Sequence, residues 1–287
     1  MLFFCSYFFC VLGVGLDIGC LAAQNSVSWP LGAVWCLAGV FDLGGGLVVV
    51  VSVKRDREQL ISQIRSVSPV IAPSMLKCDF GNLHREFELL RAAGTEVLHL
   101  DVMDGHFVPN LSYGPMVIER MREHSGAVFD AHLMISDPGR YLDEYVRVGC
   151  ESITIHLEAV PEPSGLLRAI RERGLLAGLA VNPGTGWSRA ARFLDEMDLF
   201  LVMSVQPGFG GQKFIPGVIS TIREARLAGG ERLLISVDGG IGKSTIAECA
   251  RAGCDLFVAG SSVFDEPCYS AAMAELRRLA MEARAAV

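Results

Sequence analysis

From Val70 onward, short apolar runs rich in β-formers alternate with helical patterns, and this rhythm limits the fold more than any other feature of the chain. Strands are predicted over Val70–Leu76, Val97–Met103, Val128–Ile135, Ser152–Leu157, Ala177–Val181, Leu199–Val205, Leu233–Val237 and Leu256–Ala259. Helices are predicted between them, over Asn82–Ala93, Pro115–Glu123, Pro138–Val148, Ser164–Arg173, Pro216–Ala228 and Ser244–Ala252. Several run into a glycine (Gly94, Gly149, Gly174, Gly253), where a left-handed C-terminal cap is expected. Eight such units predict an α/β chain folded as a (β/α)8 TIM barrel. An open doubly wound sheet has the same alternation, but no GxGxxG opens a helix after the first strand. Polar residues also fall at many strand ends (Ser74, Asp101, Asp104, His132, Asn182, Gln206, Asp238), which favours a closed barrel with its chemistry at the C-terminal face.

A hydrophobic content of 51% over 287 residues is ample for one large core. The 25 basic and 32 acidic residues give a net charge of −7, so general attraction to nucleic acid or anionic lipid is not expected. An anionic substrate must then be held by local geometry. The nine cysteines are odd in number, and Cys78, Cys150, Cys249, Cys254 and Cys268 contain no CxxC pair, which points to reduced thiols in the cytoplasm.

Composition changes near residue 54. Met1 to Val53 has no Lys or Arg and only Asp17 and Asp42 as charges. Residues 31–53 are apolar and precede Lys54-Arg55, the pattern of a membrane span with a basic flank. Asp42 within that span costs roughly 2.5–3.5 kcal/mol on insertion scales, and Gly44, Gly45 and Gly46 weaken a helix further. Leu2 to Leu16 lacks the positive n-region of a secretory signal. Three readings stay open for residues 1–68: an over-extended start, a membrane anchor, or a packed extension. Residues 69–287 form the expected barrel, and a chain beginning near Arg65 is expected to be soluble and active.

His99, Asp101 and Met103 alternate along the second strand and so share one face, with Leu98, Leu100 and Val102 on the other. With the aliphatic face against the helices, the histidine and carboxylate point into the barrel. Asp130, His132 and Met134 repeat the pattern on the third strand, and Ser236 and Asp238 on the seventh. A lone inward histidine is more often a hydrogen-bonded core residue than a ligand. Several ionisable groups buried together are costly without a cation or dense hydrogen bonding, and mixed His/carboxylate ligation suits Zn2+, Fe2+, Mn2+ or Co2+.

Pro207-Gly208-Phe209-Gly210-Gly211-Gln212 follows the sixth strand, Asp238-Gly239-Gly240 ends the seventh and Gly260-Ser261-Ser262 follows the eighth. Glycine lets backbone N–H groups approach an anion closely, and barrel phosphate sites commonly use the loops after the last strands.

These segments, with Ala72-Pro73-Ser74, the run from His99 to Asn110, Asp130 to Met134, Asn182 to Thr185 and Met203 to Gln212, resemble the ribulose-phosphate 3-epimerase family from about Pro69 to Arg278. The resemblance implies a ribulose-phosphate binding barrel that interconverts D-ribulose 5-phosphate and D-xylulose 5-phosphate in the pentose phosphate pathway. It implies one divalent ion per subunit on His99, Asp101, His132 and Asp238, with Asp101 and Asp238 as the acid/base pair. It places Ser74, His132, Gly208, Phe209, Gly210, Gly211, Asp238, Gly239, Gly240, Gly260 and Ser261 at the substrate. Met103, Met134 and Met203 would cap an enediolate, although packing alone also explains methionines. His84, His124 and His156 are read as non-catalytic, and His106 as a loop contact.

Alternatives are an allulose 6-phosphate 3-epimerase, a decarboxylase or aldol-type synthase of the same barrel group, and a non-catalytic sugar-phosphate binder. No lysine occupies the inward second-strand sites that a decarboxylase of this group would use. A cytoplasmic homo-oligomer is expected, with membrane association only if residues 31–53 are an anchor.

Overall fold

A computed structural model describes residues 56–286. The expected membrane span at residues 31–53, with the rest of residues 1–55, lies outside the described residues. No described helix is long and apolar enough to cross a membrane.

Eight strands form one parallel sheet: β1 (Val70–Pro73), β2 (Val97–Met103), β3 (Val128–Met134), β4 (Ser152–His156), β5 (Leu176–Val181), β6 (Leu199–Met203), β7 (Leu234–Asp238) and β8 (Leu256–Ala259). The α-helices among the described residues are α1 (Arg57–Ser66), α2 (Leu83–Ala92), α3 (Pro115–Arg122), α4 (Pro138–Arg147), α5 (Ser164–Glu172), α6 (Trp187–Ala190), α7 (Val218–Gly229), α8 (Ile246–Ala252), α9 (Ser261–Phe264) and α10 (Tyr269–Ala285). Ladders run from β2 through β8 and on to β1. The remaining seam, β1 to β2, is held by a parallel bridge between Ser74 and His99, two residues of the expected site.

The alternation along the strands decides what each face packs against. Leu98, Leu100, Val102, Phe129, Ala131 and Leu133 join the large cluster built with the helices. Val70, Val97, Val128, Leu176, Leu199, Leu234 and Leu256, near the strand starts, form a second cluster inside the barrel. Hydrophobic burial at these two layers leaves the C-terminal strand ends as the place where polar side chains converge.

Residues 57–66, read from the sequence as part of the N-terminal extension, fold as α1 and join the core. Asp56 and Gln59 make a reciprocal capping box at the start of α1. Leu60 and Ile64 reach into the cluster at the strand starts and are 0% and 2% exposed. Arg57 Nη1 donates to Asp198 Oδ1 at 2.6 Å, and Asp198 is itself buried. The packed unit therefore starts by residue 57, and a chain beginning near Arg65 would lack both apolar anchors. The alternation searched for between strands does not register a helix that precedes β1, nor α10, which follows β8.

Strand ends shift by a residue or two from expectation. β1 stops at Pro73 because Met75–Lys77 turns as a 3-10 helix. β6 stops at Met203, after which Ser204 N–H donates to Asp238 C=O at 2.7 Å and ties the ends of β6 and β7 together. The described cysteines are free thiols, with Cys78, Cys150, Cys249 and Cys254 buried.

Leu60→Ala should lower stability by about 2–5 kcal/mol through the cavity it leaves. Urea unfolding measures this; a loss well under 1 kcal/mol would show that α1 is not part of the core.

Candidate active site and metal centre

β2, β3 and β7 deliver the central side chains because inward positions recur every second residue. His99 and Asp101 from β2, His132 from β3 and Asp238 from β7 place one ligand atom each within 4.8 Å of one another. His99 Nε2 lies 3.2 Å from His132 Nδ1 and 3.9 Å from Asp238 Oδ2. His132 Nδ1 lies 3.3 Å from Asp101 Oδ1 and 3.8 Å from Asp238 Oδ2. Four donors at about 2.1 Å from one tetrahedral ion stand about 3.4 Å apart, so this spacing fits a single first-row cation.

Supporting residues decide which atoms face the centre. Asp130 Oδ2 sits 2.8 Å from His99 Nδ1, which fixes a proton there and turns Nε2 toward the cluster as the atom that could bind a cation in place of its own proton. His156 Nε2 sits 2.8 Å from His132 Nε2, and His156 Nδ1 lies 3.4 Å from Glu158 Oε2. With the carboxylate taking the proton on His156 Nδ1, His156 Nε2 accepts from His132 Nε2–H, and His132 Nδ1 is free to act as a ligand. Ser74 Oγ donates to Asp101 Oδ2 at 2.5 Å, and the backbone N–H of Asp101 donates to the Tyr113 hydroxyl at 3.1 Å.

His156 has no contact with the central cavity, yet it is fully buried against His132, a role the sequence reading did not give it. The signal was present: Ser152, Thr154 and His156 alternate inward on β4 as His99 and Asp101 do on β2. Asp130 was read as inward, and its partner His99 emerges only in three dimensions. His106 stays in the loop after β2, where Asp104 Oδ1 accepts its backbone N–H at 2.8 Å. Asn110 Nδ2 donates to Gly208 C=O at 2.6 Å and joins this loop to the one after β6. Asn182 N–H donates to Glu158 Oε1 at 2.9 Å, placing it in support of the histidine chain.

Burial is the largest influence on each central group. It pushes His99 down, but the Asp101 and Asp130 carboxylates more than offset this and raise its pKa well above the ordinary value. It pushes Asp101 up, yet His99 and His132 hold that carboxyl below the usual carboxylate range. It lowers His132 to about 4 despite the bond to Asp101. For Asp238, burial and the Asp101 charge act together and raise the carboxyl to about 7. Two carboxylates this close retain a proton near neutrality unless a cation takes its place.

Above the cluster lies a cavity of about 340 Å3. Ser74, Asp101, Asp238, Met103, Met134 and Met203 line its floor and sides, and Gly208, Phe209, Gly210, Gly211, Gly239, Gly240, Gly260 and Ser261 line the rest. The structure thus brings together nearly all the sequence-predicted site residues; His99 and His132 lie beneath the lining at 0% exposure. Gly240 has φ +62°, and a Cβ there would stand 2.7 Å from Phe214 N, so the turn after β7 requires glycine.

The profile described as the Ribulose-phosphate 3 epimerase family matches residues 70–264. Ribulose-phosphate 3-epimerase of Mycobacterium bovis is 46% identical over 215 residues, covering 74% of this chain and 93% of the relative. That of Escherichia coli K12 is 42% identical over 212 residues, covering 72% and 94%. Among solved structures, a 3-hexulose-6-phosphate synthase superposes with a TM-score of 0.55 at 19% identity, over 73% of this chain and 97% of that one, a likeness of fold alone.

A cation must displace the proton that Asp238 holds below about pH 7. Affinity of the chelator-stripped protein for Zn2+ or Mn2+ should therefore fall by at least about tenfold per pH unit below that value, and because the raised His99 must also lose a proton to act as a ligand, affinity should go on rising above it. In the stripped protein the raised Asp238 has the opposite sign for folding: its contribution is fully present below the unfolded value of 3.8 and is lost as pH rises through about 7. Metal titration calorimetry from pH 5.5 to 8 checks the first trend; affinity independent of pH would remove Asp238 from the ligand set.

Proposed function

Because the chain belongs to the ribulose-phosphate 3-epimerase family, we propose that it interconverts D-ribulose 5-phosphate and D-xylulose 5-phosphate at C3, using Asp101 and Asp238 as the proton-transferring pair. The observation that carries the proposal is the convergence of both carboxylates and two histidines, with His99, His132 and Asp101 each held by its own partner, at a cavity walled by glycine-rich loops.

His99, Asp101, His132 and Asp238 would hold one divalent ion, with Zn2+, Fe2+, Mn2+ and Co2+ all compatible with the donor set. Bound there, such an ion would supply Lewis-acid stabilisation of the negative charge that develops on the substrate.

The chain's own residues supply the rest. One aspartate, as its carboxylate, removes the proton from C3 on one face of the substrate; the other, as the acid, delivers a proton to C3 from the opposite face, and configuration there inverts. Ser74 anchors Asp101 through its hydroxyl. Met103, Met134 and Met203 present polarizable, chemically inert surface to the planar intermediate. Backbone N–H groups of the loops at Gly208–Gly211, Gly239-Gly240 and Gly260-Ser261 receive the phosphate, which suits a protein of net charge −7.

Turnover of D-ribulose 5-phosphate and of D-allulose 6-phosphate, compared on metal-loaded protein, tests the substrate; kcat/KM should favour the five-carbon sugar. Asp238→Asn should reduce kcat by at least about a thousandfold while the fold is retained. Substantial activity in a folded, metal-loaded D238N protein would remove Asp238 from proton transfer.

A further inference from the structure

The cavity that takes a phosphorylated sugar contains two carboxylates, Asp101 and Asp238, and a single basic side chain among its lining residues, Lys77. Lys77 ends the 3-10 turn that follows β1, three residues after Ser74. Its stem runs between the two loops that flank the phosphate end of the cavity. A Cβ on Gly210 would lie 3.5 Å from Lys77 Cδ, and one on Gly260 would lie 3.2 Å from Lys77 Cγ. The ammonium is 3.6 Å from Asp265 Oδ1, just past α9, and Asp265 is 61% exposed. An ion pair that open to solvent is weak and readily exchanged for a better-placed anion.

We propose that Lys77 is a phosphate-binding residue of this chain, its ammonium leaving Asp265 for the phosphate of the bound ketose phosphate between the loops after β6 and β8. The proposal rests on reading the cavity as a ketose-phosphate site. It adds a charge-assisted contact to a cradle otherwise made of backbone N–H groups. It also names a source of preference for phosphorylated over free sugars. Asp265 acts as a resting partner that holds the ammonium at the rim while the cavity is empty of substrate.

Steady-state kinetics on the metal-loaded full chain, with D-ribulose 5-phosphate as substrate and inorganic sulfate as a competing anion, test this. Lys77→Met keeps the stem and removes the charge. It should raise KM and the sulfate inhibition constant together by about tenfold, with the loss falling mainly on KM. Lys77→Arg, which keeps the charge, should recover most of that loss. Asp265→Asn, which only releases the ammonium, should not raise KM. A K77M enzyme with wild-type KM and sulfate inhibition overturns the assignment and leaves the reading of the cavity intact. A K77R enzyme as impaired as K77M, or a D265N enzyme as impaired as K77M, assigns the effect to packing or to the ion pair and overturns it as well. Metal-loaded wild type inactive on both ketose phosphates overturns the underlying reading, and Lys77's role with it.

Discussion

Two carboxylates and two imidazoles gathered at the C-terminal end of a barrel dominate this structure, because ionisable groups brought together beneath a cavity are costly unless hydrogen bonds or a cation offset the cost. The chain meets that demand with a second tier of residues. Asp130 takes one side of His99, His156 takes one side of His132, and Ser74 takes one oxygen of Asp101. What is left over is four ligand atoms aimed at a common point. The same hydrogen bonds that make burial tolerable therefore also orient the side chains that could hold a divalent ion.

The barrel separates this polar centre from the parts that stabilise the fold. At the strand starts, α1 and the inward aliphatic residues fill the interior. At the strand ends, glycines with positive φ, such as Gly208 at +123° and Gly239 at +119°, shape the turns that line the cavity, and a Cβ on Gly239 would stand 2.5 Å from Val205 Cγ2. Closure itself is tied to the site. The bridge that joins β1 to β2 uses Ser74 and His99, and the Ser74 hydroxyl crosses that seam to Asp101. Geometry at the reacting centre is thus fixed by the same contact that completes the barrel, which is the arrangement positional catalysis needs.

Much of this was legible in the sequence because period-two alternation reports a side chain's face directly. Leu-His-Leu-Asp-Val-Met on β2 fixed the inward set, and the structure places His99, Asp101 and Met103 accordingly. The glycine-rich loops were legible for a similar reason, since their order after β6, β7 and β8 matches their neighbouring positions around the barrel. Other features depend on contacts that no local pattern encodes. The part His156 plays comes from meeting His132 across the β3 and β4 pairing, a contact that the alternation along β4 alone does not encode. Lys77 sits in a turn with no periodicity, and its relation to Gly210 and Gly260 appears only when the barrel closes. The helix α1 contains mostly polar residues, so the change of composition near residue 54 obscured that Leu60 and Ile64 belong to the core.

Proton transfer at C3 by two carboxylates gathered around one cation is the reaction proposed for this chain. Turnover of D-ribulose 5-phosphate in D2O, followed by NMR at C3 before chelation, after chelation and after metal is restored, tests it most directly. Xylulose 5-phosphate should form with deuterium at C3, both product and label should be lost on chelation, and both should return with Zn2+, Fe2+, Mn2+ or Co2+. Product formed with undiminished rate in fully chelated protein, or product that retains the original C3 hydrogen, would contradict it.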